Sequence, residues 1–295
     1  MKYLVMLCCL GLPWLLSAAP KQFSYTLLDG KTLSFSLDNQ LLERYRTRIR
    51  YRPELAEQYV RNGMMRFAAS QPQAGVRLQF SPANLPLRIE VNGSDSRKVA
   101  DLQQRLATEQ QRLINEYLAK HQYRFQDDSR QKTWVVQDHP AHFRQAQQDL
   151  APVAQAFVGL YGNQNIRQVA AGLTSWVEQI PYQNLEDRRS SPGVGYSAPI
   201  EVIFQNQGDC DSKAVLWAAI MRQIFPRLPL ALIYFDDHAM VGARIPPIRD
   251  EVAIPHQSFN LLLIDATGPA QAKIGYPNPD YLDEIRNQQF TVLDL

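Results

Sequence analysis

Near the start of the chain, apolar and polar residues alternate. Phe23, Tyr25 and Leu27 share one side, Asp29-Gly30 supplies a turn, and Leu33, Phe35 and Leu37 alternate again. A period of two interrupted by Asp-Gly predicts a β-hairpin over residues 20 to 40. Pro53 to Ala69 opens on proline and continues in helix formers, which predicts a helix. Val76 to Phe80 and Leu87 to Val91 read as short strands on either side of a Pro-Ala-Asn-Leu-Pro loop. The period then changes. Val99, Leu102, Leu106, Leu113 and Tyr117 recur at three-, four- and seven-residue steps behind the cap Asn92-Gly93-Ser94-Asp95, the mark of an amphipathic helix.

Beyond that helix the pattern is denser. Thr133 to Val136 predicts a strand, and Asp138-His139-Pro140 starts a helix running to about Leu160. A helix over Asn165 to Gln179 leads into a long loop, Ile180 to Gln207, rich in Pro, Gly, Ser and Arg. Ala214, Trp217, Ile220, Met221 and Ile224 then repeat at helical spacing, with Gly208 and Asp209 leading in and capping. The apolar runs Leu230 to Phe235 and Phe259 to Ile264 predict buried strands. The polar stretch Gln126 to Lys132 places a boundary near residue 130. Residues 20–130 make an N-terminal α+β region without an assigned role, and residues 131–295 a second α+β domain.

The N-terminus does not fit a folded domain. Met1-Lys2 is followed by an apolar run from Tyr3 to Leu16 and by the small residues Ser17-Ala18-Ala19. That order predicts a secretory signal peptide over residues 1–19, a mature chain starting at Ala19 or Pro20, and a periplasmic or secreted protein. No later apolar run reaches the ~18 residues a membrane span needs, so stable membrane insertion is not expected. The formal net charge of +2 comes without a dense basic run, which argues against a nucleic-acid partner.

Export changes the meaning of the cysteines. Of three, Cys8 and Cys9 leave with the signal, and Cys210 remains alone. A single cysteine forms no internal disulfide, and a thiol exposed to oxidants needs a reason to persist. Cys210 falls in the first turn of a buried helix, where the dipole and free N–H groups stabilise a thiolate and the oxyanion of an attacked carbonyl. Asp209 and Asp211 oppose the thiolate, so a neighbouring imidazole is required.

Five histidines are available. His121 ends a helix, His139 and His142 open one, and His256 lies in a polar loop; these read as surface or capping residues. His238 stands at a bend between two predicted strands, and Asp265 ends the next buried strand. The spacings of 28 and 27 residues suit adjacent elements. Nucleophile on a helix tip, base on one strand and orienting acid on the next is the logic of acyl transfer. Asp250 competes with Asp265 as the acid. Gln183, Gln205 and Gln207 are candidates for an oxyanion-binding amide, none preferred. Asp209, Asp211, Asp236 and Asp237 read as caps and solvated turns rather than a calcium site.

Gly208-Asp209-Cys210 with Lys213-Ala214, His238-Ala239 and Asp265-Ala266-Thr267 resemble the signature segments of the bacterial transglutaminase-like cysteine proteinase superfamily. Trp176-Val177 and Ile180-Pro181-Tyr182 resemble its lead-in. The resemblance covers about residues 165–270. It implies a papain-like core, a Cys-bearing helix packed on an antiparallel sheet, with a Cys210-His238-Asp265 triad and no cofactor or catalytic metal. The expected activity is hydrolysis of peptide or amide bonds in a protein or peptide substrate. The alternatives are a transglutaminase or amidase acting on Gln side chains or cell-wall peptides, and a catalytically silent binding module on the same fold. Two departures stand out: a long interval from His238 to Asp265, read as a loop inserted over Pro246 to Gln257, and Met240-Val241 where an aromatic residue is usual.

Overall fold

A computed structural model describes residues 19–72, 74–127, 131–185, 195–269 and 273–295. The expected signal sequence lies outside these, apart from Ala19. In chain order the elements are β1 (Lys21–Thr26), β2 (Thr32–Leu37), α1 (Asn39–Arg46), α2 (Pro53–Ala69), β3 (Val76–Phe80), β4 (Ile89–Gly93) and α3 (Ser96–Lys120). They continue with β5 (Tyr123–Asp127), β6 (Thr133–Gln137), α4 (His139–Asp149), α5 (Ala151–Tyr161), α6 (Ile166–Gln179) and α7 (Pro199–Gln205). The chain closes with α8 (Cys210–Ile224), β7 (Leu230–Tyr234), β8 (Ala239–Ala243), β9 (Ala253–His256), β10 (Phe259–Ile264), a short 3₁₀ turn (Pro279–Tyr281), α9 (Leu282–Arg286) and β11 (Thr291–Asp294). The chain is thus α+β, and its sheets pair antiparallel.

The first hairpin forms as its alternation predicts, with Phe23 opposite Phe35 and Tyr25 opposite Leu33. Asp95 caps α3 by accepting from the N–H groups of Arg97 and Lys98 at 3.0 and 3.3 Å. The helix expected from Asp138 to about Leu160 is two helices broken at Leu150. Pro152 is the reason: it has no N–H to continue the ladder but suits the first turn of a new helix. The long loop expected over Ile180 to Gln207 contains α7. Its start is fixed by Pro199 and by Glu201 Oε2, which accepts the Ala198 N–H at 2.8 Å. The stretch read as an inserted loop holds β9, which pairs with β10 from Ala253 opposite Leu262 to His256 opposite Phe259.

The central sheet has five strands in the order β11-β7-β8-β10-β9. One face, through Leu230, Leu232, Val241, Leu262 and Ile264, joins the main core, where it meets α8. The opposite face, through Ile233, Met240, Leu261 and Leu263, packs under Tyr281, Ile285 and Phe290. Buried on both faces, these strands read as continuous apolar runs rather than alternating ones. Leu27, Leu33, Phe35, Leu37, Leu42 and Tyr45 belong to the main core too, although they come from the start of the chain. α2, α3, β3 and β4 build a smaller core around Val60, Met64, Leu102, Leu106 and Leu113. Among the described residues no helix is long and apolar enough to cross a membrane.

Candidate active site

Cys210 is the first residue of α8. Asp209, extended at φ −89° and ψ −175°, caps the helix by accepting the Ser212 N–H at 3.3 Å. Asp211 Oδ1 accepts the same N–H at 2.7 Å. The approach is fixed by a parallel bridge between Tyr182 and Gly208. In it the Gly208 N–H donates to Pro181 O at 3.2 Å and the Gln183 N–H to Gly208 O at 3.1 Å. Gln183 is thereby tied to the loop leading into Cys210, of which Gln207 is itself a part. The backbone N–H groups of Ala239, the residue after His238, and of Asp211 lie near enough to the thiol to favour its ionised form against burial. The tip of α8 therefore lies beside the turn that carries the histidine.

His238 sits between β7 and β8, in a turn closed by the Phe235 N–H donating to His238 O at 2.9 Å. Its Nε2 lies 3.1 Å from Asp265 Oδ2, and both side chains are nearly buried, at 10% and 9% exposure. A carboxylate only accepts, so Nε2 carries the proton and Nδ1 is left to take one. The second carboxylate oxygen, Asp265 Oδ1, accepts the Thr267 N–H at 3.1 Å. The Tyr281 ring stacks on the imidazole at 4.7 Å and 17°, and its hydroxyl donates to Asp237 at 3.1 Å. Tyr281 thus supplies, from a distant segment, the aromatic neighbour missing after His238. Asp250 is in an exposed loop at φ +68°, its charge 3.9 Å from Arg249. The structure brings Cys210, His238 and Asp265 together and leaves Asp250 outside.

Burial dominates the electrostatics. It pushes the Cys210 thiol up to about 12, and the charges of Asp211 and Asp209 add to it. Asp209 is itself held well above the carboxylate range by burial and by the Asp211 charge. Asp265 goes the other way: burial raises it, but the hydrogen bond and charge of His238 and the Thr267 N–H outweigh that. Lys213 is fully buried on α8, and burial lowers its ammonium to about 8. Its Nζ donates to Thr267 O, tying the nucleophile's helix to the turn after Asp265.

His139 and His142 are not surface or capping residues. α4 packs them inward against Tyr196, at ring distances of 4.8 and 4.6 Å. His139 Nδ1 is hydrogen-bonded to Tyr234 Oη, while its Nε2 is 3.1 Å from Asp211 Oδ2. Burial holds its imidazole neutral, lowered to about 4. His256 ends β9 and meets Asp294 at 2.8 Å, and His121 caps α3. No local pattern announces the inward turn of His139, because Tyr196 and Tyr234 reach it from elements far along the chain.

Two clefts lie near the start of α8. One, of about 570 Å³, is lined by His238, Asp265, Tyr281, Tyr182 and Glu178. The other, of about 1320 Å³, reaches Asp211, Tyr234 and His139. Among the described residues no group of three or more His, Cys, Asp or Glu side chains is placed to hold a metal ion. No protein-family model matches the chain, and none of the curated proteins does.

Proposed function

We propose that the chain is an exported cysteine hydrolase of the papain and transglutaminase-like type, cleaving peptide or amide bonds through Cys210, His238 and Asp265. The observation that carries the reading is the joint geometry of the three. α8, which begins at Cys210, packs on β8, which begins just after His238, and His238 Nε2 is 3.1 Å from Asp265 Oδ2.

Because burial raises the thiol, its ionisation accompanies attack. His238 Nδ1 takes the proton as Sγ bonds to the carbonyl carbon, and the first N–H groups of α8 hold the oxyanion. Asp265 stabilises the imidazolium and fixes its orientation. The C–N bond then breaks, the imidazolium gives its proton to the leaving amine, and a thioester remains. Water attacks the thioester as His238 takes its proton, and the thiolate leaves and is reprotonated. Attack by an amine in place of water would give the transglutaminase outcome.

The raised thiol favours one rival, a silent binding module with an inert buried cysteine. Iodoacetamide alkylation of Cys210 across pH separates the two. In the enzyme, His238→Ala slows alkylation at pH 7–8 roughly a hundredfold, as expected for loss of a general base. A rate that ignores His238 and follows only the thiol's own ionisation would identify the silent module. Cys210→Ala and His238→Ala each remove nearly all peptide-bond cleavage, and the double variant loses little more. Multiplicative losses would mean that the two residues do not act as one unit.

A further inference from the structure

The larger cleft, beside Asp211, is bordered by the chain's last strand. Six consecutive residues, Gln288 to Leu293, line it on one side, and the β5–β6 hairpin faces them through Arg124 and Val136. β11 is the edge strand of the five-stranded sheet. Its register shows which backbone groups the sheet uses. The Leu295 N–H donates to Leu230 O at 3.0 Å, and Leu293 stands opposite Leu232 and Thr291 opposite Tyr234. Bonded and unbonded pairs alternate in an antiparallel ladder, so residues 291, 293 and 295 face β7. The β7–β8 ladder agrees: Phe235 bonds His238 across that turn, so residues 231, 233 and 235 serve β8, leaving 230, 232 and 234 for β11. The N–H and C=O groups of Val292 and Asp294 therefore point away from the sheet. Among the described residues no main-chain hydrogen bond outside the ladder uses them.

We infer that the outer edge of β11 binds the acyl side of a polypeptide substrate as an added antiparallel strand. The inference rests on the catalytic reading above and names how that site holds its substrate. The direction follows from the chemistry. His238 must reach the leaving amine, so the leaving side lies in the cleft beside His238 and Tyr281, and the acyl side in the cleft beyond Asp211. β11 begins opposite Tyr234, near the nucleophile, and runs away from it. A substrate whose C-terminal direction leads to Cys210 runs opposite to β11. Outward groups at every second residue, ~7 Å apart, match the repeat of an extended chain. A small amide would leave them unused, and the cleft reaches Asp211, the residue after Cys210. Recognition through main chain also gives affinity with little demand on side-chain sequence.

The probes that test this are N-acetylated oligoalanyl chloromethyl ketones of one, three and five residues. They alkylate Cys210 and differ only in acyl-side main chain. The inactivation rate rises roughly tenfold from one residue to five, the gain expected from two added main-chain hydrogen bonds. In Val292→Pro the outward N–H is gone while the bonds to β7 stay, a placement proline tolerates on an edge strand. The five-to-one rate ratio then falls to near unity. Should Val292→Pro unfold, Asp294→Pro serves: it removes the outer N–H and flattens only the step from three residues to five. A wild-type rate independent of length, or a ratio retained in a folded proline variant, overturns the inference. Failure of the catalytic reading shows elsewhere, as alkylation by every reagent that ignores His238→Ala.

Discussion

Asp211 bears most directly on how the candidate nucleophile is tuned. It follows Cys210, and after burial its charge does most to raise the thiol. The opposition of Asp209 and Asp211 to a thiolate was legible in the sequence; the dominance of burial was not, because it depends on what covers the helix tip. Asp211→Asn removes the repelling charge, lowers the thiol's titration and raises alkylation at pH 8 roughly tenfold, the effect of one pKa unit. Asp209→Asn has a smaller effect there, because the charge of Asp209 raises the thiol less than that of Asp211 does, and asparagine still caps the helix. A pH–rate profile of iodoacetamide labelling reads both. The acid shows the same limit of sequence reasoning. Asp250 and Asp265 both follow His238 at plausible distance, and only the fold places one against Nε2 and the other in solvent. Asp265→Asn loses turnover by orders of magnitude with the fold intact, and Asp250→Asn turns over like the wild type, when peptide cleavage and melting temperature are measured together.

Among the elements, periodicity located most of the regular ones and missed several short ones. α3, α6, α8, β7 and β10 each carry an apolar pattern long enough to read. α7 is seven residues hidden between prolines and glycines, and β5 and β11 are polar strands that pair only because a partner lies alongside. The turn after β10 is likewise set from outside. Gly268 adopts φ +63°, and a Cβ there would stand 2.5 Å from Glu178 O on α6. Since Lys213 holds Thr267 in the same turn, this is how α6 and α8 together position Asp265. Gly268→Ala costs about 2–3 kcal/mol from the clash and the left-handed backbone, and it slows peptide cleavage by displacing the carboxylate. Gly208→Ala, whose Cβ would meet only side chains at 3.3–3.4 Å, costs about 1 kcal/mol or less. Urea melts of the two variants give the comparison; equal losses would show that the Gly268 turn has room to yield.

At the scale of the whole molecule, the first hairpin belongs to the core that carries the site. Its alternation was readable, but its partner was not, since nothing local says where an apolar strand face will be buried. Phe35 and Tyr25 meet the edge of Trp176 on α6 at 5.9 and 5.5 Å, and Leu33 and Leu37 are fully buried. Trp176 and Trp217 lie in the same cluster, and Trp217 Nε1 donates to Thr174 at 3.0 Å on α6. A cavity opened under the hairpin is therefore transmitted through α6 to α8, where Cys210 begins. Leu106, by contrast, sits in the cluster built by α2, α3, β3 and β4, which shares none of its buried members with the main core. Leu37→Ala and Leu106→Ala remove the same side chain, so each opens a cavity costing about 2–5 kcal/mol. The consequence for the site differs. Leu37→Ala lowers the urea concentration at which the thiol of Cys210 becomes labelled and at which tryptophan fluorescence shifts. Leu106→Ala moves these two midpoints much less, while helix content measured by circular dichroism begins to fall at lower urea. If both variants shift Cys210 exposure equally, the two cores unfold as one cooperative unit, and the hairpin has no privileged hold on the site.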